Sequence, residues 1–318
     1  MRSAVATEIV RRDALPVVLC EAPEHELATS ASDQVELEQG SASRLSDLVR
    51  IAKRHEVTRL IHLPDPTSTW EADRLVAEYD ASRARVINIF ELAELLDVRR
   101  VVYPSSVHVF GDARNDTGGV RHVVNESDPM RPTTLRGASD LLVETTARLF
   151  GRAHGIEMIG LRSVLTVAPG DISESASLID QALVRAVTGK QGVIHAPWEP
   201  ASRVNVMYGR DAATLFVATC LHDHPFQLPV YNMGTGEYLS VLDMIETANL
   251  VLAAPGAVTY DKAAPTCWPG HLDFPDADSR ALRHALGWHP AYTFEEAVRE
   301  AGVNYAYRAF TGNSSTGR

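Results

Sequence analysis

The stretch that decides the fold begins Leu60-Ile61-His62-Leu63-Pro64-Asp65-Pro66 and ends at Arg100-Val101-Val102-Tyr103-Pro104. Between these ends, residues 71–96 place Leu75, Val76, Tyr79, Val86, Ile87, Phe90 and Leu95 on one side of a helix. A short apolar run stopped by prolines reads as a strand, and so does the run that follows the helix. Two strands joined by a crossover helix of this length pair in parallel. A parallel sheet needs helices on both faces, so a doubly wound α/β protein is expected.

The same alternation extends outward in both directions. Residues 15–20 form an apolar run, and Leu45, Leu48, Val49 and Ala52 mark a helix face at i, i+3, i+4, i+7. A helix is expected at 137–153, carrying Leu141, Leu142, Leu149 and Phe150, and a strand at 157–161. Beyond 165 the expected elements are a helix at 176–188, a strand at 204–207, a helix at 211–221, a strand at 229–231 and a helix at 240–253. The expected architecture is a Rossmann-like sheet from 1–165 plus 204–225, with a small C-terminal substrate lobe from 166–203 plus 226–310. Residues 311–318 have no apolar content and read as a tail.

Composition narrows the function classes. With 318 residues, 45% hydrophobic and 22% charged, the chain has the make-up of a globular protein with a full core. A formal net charge of −11 argues against nucleic acid or an anionic membrane surface as partner. There is no run of 18 apolar residues. The opening residues, with Val5 and Ile9 at helical spacing and Glu8, Arg11 and Arg12 among them, read as an amphipathic helix and not a signal peptide. Cys20, Cys220 and Cys267 are too widely spaced for a disulfide framework, so reduced thiols and a cytoplasmic setting are expected. Of the 30 basic residues only Lys53, Lys190 and Lys262 are lysines, which leaves little room for lysine chemistry.

Several ordered segments resemble the extended short-chain dehydrogenase/reductases, the NAD-dependent epimerase/dehydratase family. They are Tyr103 to Gly111, the Glu126, Pro129, Pro132 run into Gly137-Ala138-Ser139, and Tyr208 with Asp211-Ala212. Tyr231 to Gly236, then Trp268-Pro269, Asp278 to Ala281 and Leu286 to Pro290, complete the set. Within the family the chain is most similar to the epimerase-like L-threonine dehydrogenases. The resemblance implies a dinucleotide-binding domain, a small substrate lobe, a small-molecule substrate and a homodimer built through helices 71–96 and 137–153.

The chemistry-bearing positions depart from that pattern. No glycine precedes Gly40, and Arg2 stands where the resemblance places the last glycine of a phosphate-binding turn. Two readings stay open, a coding sequence that starts upstream of Met1 or a chain without that cradle, and the cofactor expectation is none or weakly bound NAD. Glu21 falls where the family has an acid for the ribose hydroxyls, which favours NAD over NADP; a solvated acid is the other reading. The family's tyrosine and lysine are replaced by Arg136 and Asp140, which leaves Ser106 as the remaining member of its catalytic set. Arginine stays protonated and cannot shuttle a proton. At i, i+4 the two are also placed to pair with each other.

Strand alternation puts His108 on the same side as Ser106, so Ser106 and His108 are the expected proton carriers and Arg136 an anion holder. A His bonded to backbone is the plainer reading of His108. Arg162 and Arg203 match positions near the family's substrate site and suit an anion, or a surface role. His222-Asp223-His224 has metal-like residue types but no third ligand nearby, so no metal is expected. Neither a Gly-x-Ser-x-Gly elbow nor a Walker loop is present. Three functions remain open: a divergent enzyme running elimination, isomerisation or cyclisation without redox turnover, an NAD-dependent oxidoreductase or epimerase with a substitute proton donor, and a non-catalytic ligand- or partner-binding protein.

Overall fold

The computed structural model describes residues 2–20, 32–63, 72–111, 123–168, 178–195, 200–201, 203–261, 275–300 and 302–303. In chain order the elements are α1 (Arg2–Arg11), β1 (Val17–Cys20), β2 (Glu36–Gln39), α2 (Leu45–Arg54), β3 (Arg59–Ile61), α3 (Ala72–Leu95) and β4 (Arg100–Ser106). Then come β5 (Val123–Val124), α4 (Leu135–His154), β6 (Glu157–Ser163), β7 (Leu165–Val167), α5 (Leu178–Val187), β8 (Gly192–His195) and β9 (Arg203–Tyr208). The remainder is α6 (Gly209–Leu221), β10 (Val230–Met233), β11 (Tyr238–Ser240), α7 (Val241–Val251), β12 (Val258–Asp261), β13 (Asp276–Ala277) and α8 (Arg280–Leu286).

The central sheet is four-stranded and parallel, in the order β10-β6-β4-β3. Its middle strand β4 is buried along nearly its whole length, as a strand covered on both faces must be. On one face, α2, α3 and α4 seal a core around Phe90, Val101, Tyr103 and Met158. On the other, α6 and α8 pack on Val102, Ile159, Leu161 and Met233. Strand β1 pairs in parallel with β2 alone, and among the described residues no pairing joins that two-stranded sheet to β3. Helix α1 buries Val5 against Ala213 and Val217 of α6.

The smaller lobe has its own core, in which Leu183, Ile194, Val206, Met244, Val258 and Phe294 meet. Its α7 starts on a capping box, with Ser240 and Asp243 each accepting from the other's backbone N–H. The sheet closes differently from the expected division at 204–225. Strand β9 pairs with β7 and β11, outside the central sheet, and the strand that rejoins it is β10. From that segment helix α6, together with Met207 of β9, joins the core on the central sheet. The tail at 311–318 lies outside the described residues.

Candidate active site

The site forms at the carboxyl ends of β4 and β6, where a parallel sheet presents its functional groups. Strand β4 stops at Ser106 because Val107–Phe110 turn into a 3-10 helix. Gly111 ends that turn at φ +66, where a Cβ would lie 1.9 Å from the Arg131 carbonyl oxygen. The next helix, α4, is capped by the Thr134 hydroxyl, which accepts from the Gly137 N–H at 3.1 Å. Its first turn lies directly on the 3-10 turn, since a Cβ on Gly137 would come within 2.2 Å of the His108 carbonyl oxygen. A glycine at 137 is what lets α4 press Arg136 and Asp140 against the strand end.

Three side chains meet there. The Ser106 hydroxyl donates to Asp140 Oδ2 at 2.6 Å, and Arg136 Nε donates to the same oxygen at 2.8 Å. The Arg136 side chain is 31% exposed and that of Asp140 13%. Burial raises the Asp140 carboxyl above the ordinary range, against the opposing pull of Arg136 and Ser106. No hydrogen bond or ion pair among the described residues reaches the other carboxylate oxygen, Oδ1.

His108 does not sit as strand alternation predicts. It belongs to the 3-10 turn, so the i, i+2 argument that set it beside Ser106 fails. Burial, and then the charge of Arg136, push its imidazole down to about 3, so it is neutral at physiological pH. A group held that far below neutrality is a poor match for acid–base work near pH 7.

Deeper in the sheet lies a second set of the same chemistry. Arg162 of β6 holds Glu144 of α4 through two hydrogen bonds of 2.8 Å, and Ser105 donates to that carboxylate at 2.5 Å. Both charged side chains are under 5% exposed. The Phe110 ring covers the guanidinium at 4.7 Å. Arg162 is therefore engaged by Glu144, while its Nη1 is buried without a hydrogen-bond partner. Sequence reading missed Glu144, although its place one helical turn beyond Asp140 was the available signal. Asn232, opposite Arg162 on β10, takes Glu126 on its backbone N–H at 2.9 Å.

The remaining expected site residues are scattered. Arg203 opens β9 on the surface and donates to the Tyr238 carbonyl at 3.1 Å. Glu21 lies outside the described residues. His222 packs its ring on Phe226 at 5.0 Å, and the His222 and His224 carbonyls accept from buried Arg100. Helix α1 opens on Arg2 and Ser3, and Gly40 is packed between Leu19 and Asp47.

A twisted parallel sheet with helices on both faces and a serine at the end of its middle strand defines a Rossmann-like α/β protein. The family model for the NAD dependent epimerase/dehydratase family matches residues 3–234, and the chain belongs to that family. A UDP-glucose 4-epimerase of Streptococcus mutans is 25% identical over 266 residues, covering 76% of this chain and 74% of the relative. A second UDP-glucose 4-epimerase, from Halalkalibacterium halodurans, is 24% identical and covers 85% and 86%. Among solved structures, the UDP-glucose 4-epimerase of Bifidobacterium longum in complex with NAD+ and UDP superposes with a TM-score of 0.80. That match has 18% identity and covers 98% of this chain and 96% of the other. A partial consensus L-threonine 3-dehydrogenase superposes at 0.78, with 18% identity and 96% of each chain. These superpositions concern the fold.

Proposed function

We propose that this chain is an enzyme acting on a small anionic metabolite, of the nucleotide-sugar kind its relatives are named for, by proton transfer without a hydride step. The observation that carries this reading is the Ser106–Asp140–Arg136 contact at the carboxyl end of β4. An arginine and an aspartate occupy the positions from which the family's tyrosine and lysine act, and neither can replace a phenolate. Arg136 supplies instead a fixed positive charge, suited to holding a phosphate or carboxylate or to stabilising a developing oxyanion. A dinucleotide, if it binds, is held weakly and favours NAD over NADP through Glu21.

Calorimetric titration with UDP-glucose tests the reading. Wild type should bind it, and Arg136→Ala should bind about tenfold more weakly or worse, the loss of one charge-assisted contact. Equal affinity in both proteins contradicts the assignment of Arg136.

We further propose a homodimer through α3 and α4, in a cytoplasmic setting. Leu142 and Leu149 of α4 and Val76 and Leu95 of α3 are each at least half exposed, an apolar surface that a two-fold partner would cover. Among the described residues no helix is long and apolar enough to cross a membrane. Light scattering should give about 69 kDa, twice the 34.7 kDa chain, and a mass near one chain at micromolar concentration refutes the dimer.

A further inference from the structure

We infer that Asp140 is the base of this site, working through the Ser106 hydroxyl, and that the substrate already carries a carbonyl next to the C–H bond that is broken. The inference rests on the proposed ligand role of Arg136 and goes beyond it by naming the proton acceptor and the substrate class.

The geometry sets out the relay. Ser106 Oγ already donates to Asp140 Oδ2 at 2.6 Å, so its proton has a place to go. When a substrate carbon loses its proton to Oγ, the Oγ–H bond breaks and an Oδ2–H bond forms on Asp140. The C–H electron pair becomes the C=C of an enolate, and the carbonyl π pair moves onto its oxygen. The negative charge thereby leaves Asp140 and appears on the substrate. Arg136, which neutralised the carboxylate at 2.8 Å, is then released to face the new oxyanion. Returning the proton to either face restores Asp140 and gives isomerisation or epimerisation.

The groups around Asp140 support this role over the alternatives. Its own helix contributes Arg136 and Glu144 and the strand contributes Ser106, while His108 of the 3-10 turn faces the Arg136 charge. Glu144 is closed off by Arg162, and His108 is held neutral with its basicity depressed. Asp140 remains as the carboxylate with an unbonded oxygen and an affinity for protons raised by burial. A carboxylate of this kind can remove a proton next to a carbonyl, whose enolate is stabilised, but not from an unactivated sugar carbon. A ketone of this class comes from a separate oxidation of an alcohol, which is the reaction that supplies the substrate.

The test uses a dTDP-linked 4-keto-6-deoxy sugar in heavy water, with deuterium at the carbons flanking the carbonyl read by mass spectrometry. Wild type should introduce deuterium, and Asp140→Asn should slow this about a hundredfold or more. Asp140→Glu should recover part of the rate and move the acid limb of the pH–rate profile, which a structural role would not do. Exchange in Asp140→Asn at the wild-type rate overturns the base assignment. Exchange in wild type no faster than in buffer overturns the substrate class. Titration of the same proteins with UDP separates these failures from that of the anion site: an Arg136→Ala protein that binds UDP as wild type does counts against Arg136 itself.

Discussion

Two arginine–carboxylate–serine sets sit one residue apart on β4 and one turn apart on α4, and their difference separates structure from chemistry. Arg162, Glu144 and Ser105 form a closed set with both charges under 5% exposed. Such a pair is sustained because the carboxylate is well satisfied, with two arginine bonds and a serine on it, although Arg162 Nη1 is buried without a hydrogen-bond partner. Arg136, Asp140 and Ser106 are joined to one another by two hydrogen bonds, with the arginine 31% exposed and one carboxylate oxygen unbonded among the described residues. The closed set fixes α4 to the sheet. The open set lies where that fixed helix meets the strand end, and it retains capacity for a ligand.

Breaking the closed set should have the largest effect. Glu144→Ala leaves the Arg162 charge buried and unpaired, and should cost about 3–5 kcal/mol in thermal or denaturant unfolding. A loss under about 1 kcal/mol would show that Arg162 does not depend on Glu144. Next comes Gly137→Ala, whose Cβ would meet the His108 carbonyl at 2.2 Å. It should cost about 1–3 kcal/mol and weaken UDP-glucose binding, because α4 must move off the turn that aligns the open set. Unchanged stability and binding would remove that contact from the account.

A smaller effect comes from His108. Its folded-state pKa is lowered to about 3, so the unfolded chain takes up a proton that the folded chain refuses as pH falls below about 6.5. The stability this contributes is present above pH 6.5 and is lost toward pH 3, by at most about 1.4 kcal/mol per pH unit. Asp140 acts in the opposite sense. Its raised pKa lets the folded state keep a proton that the unfolded chain has released, so stability falls as pH rises above 3.8. Unfolding of His108→Gln between pH 7 and 5 should therefore be flatter than that of wild type, and parallel curves would place His108 in water. The smallest effect is expected for Arg136→Ala, whose pair has the arginine partly exposed and should change stability by about 1 kcal/mol or less. A larger loss would make the open set structural.

How much of this was legible in the sequence follows from which interactions are local. The parallel sheet could be read because Leu60 to Leu63, Arg100 to Tyr103 and the helix between them are each recognisable alone. The Arg136–Asp140 pair was legible for the same reason, since i, i+4 neighbours on a helix must meet. His108 misled because alternation holds only while the strand continues, and the chain turns at Val107 to let Gly137 approach. Arg162 was read as a ligand residue because its partner lies 18 residues earlier on another element. The return of β10 in place of β9 to the central sheet is a tertiary pairing that no local periodicity encodes.

The central claim is that the open set meets ligand and the closed set does not, and arginine side-chain NMR addresses both at once. With the Nε–Hε resonances of Arg136 and Arg162 assigned from Arg136→Lys and Arg162→Lys proteins, UDP-glucose is titrated into labelled wild type. The Arg136 resonance should move with ligand concentration while that of Arg162 stays fixed. A shift of Arg162 with Arg136 unmoved, or no shift of either at saturating ligand, would contradict the account.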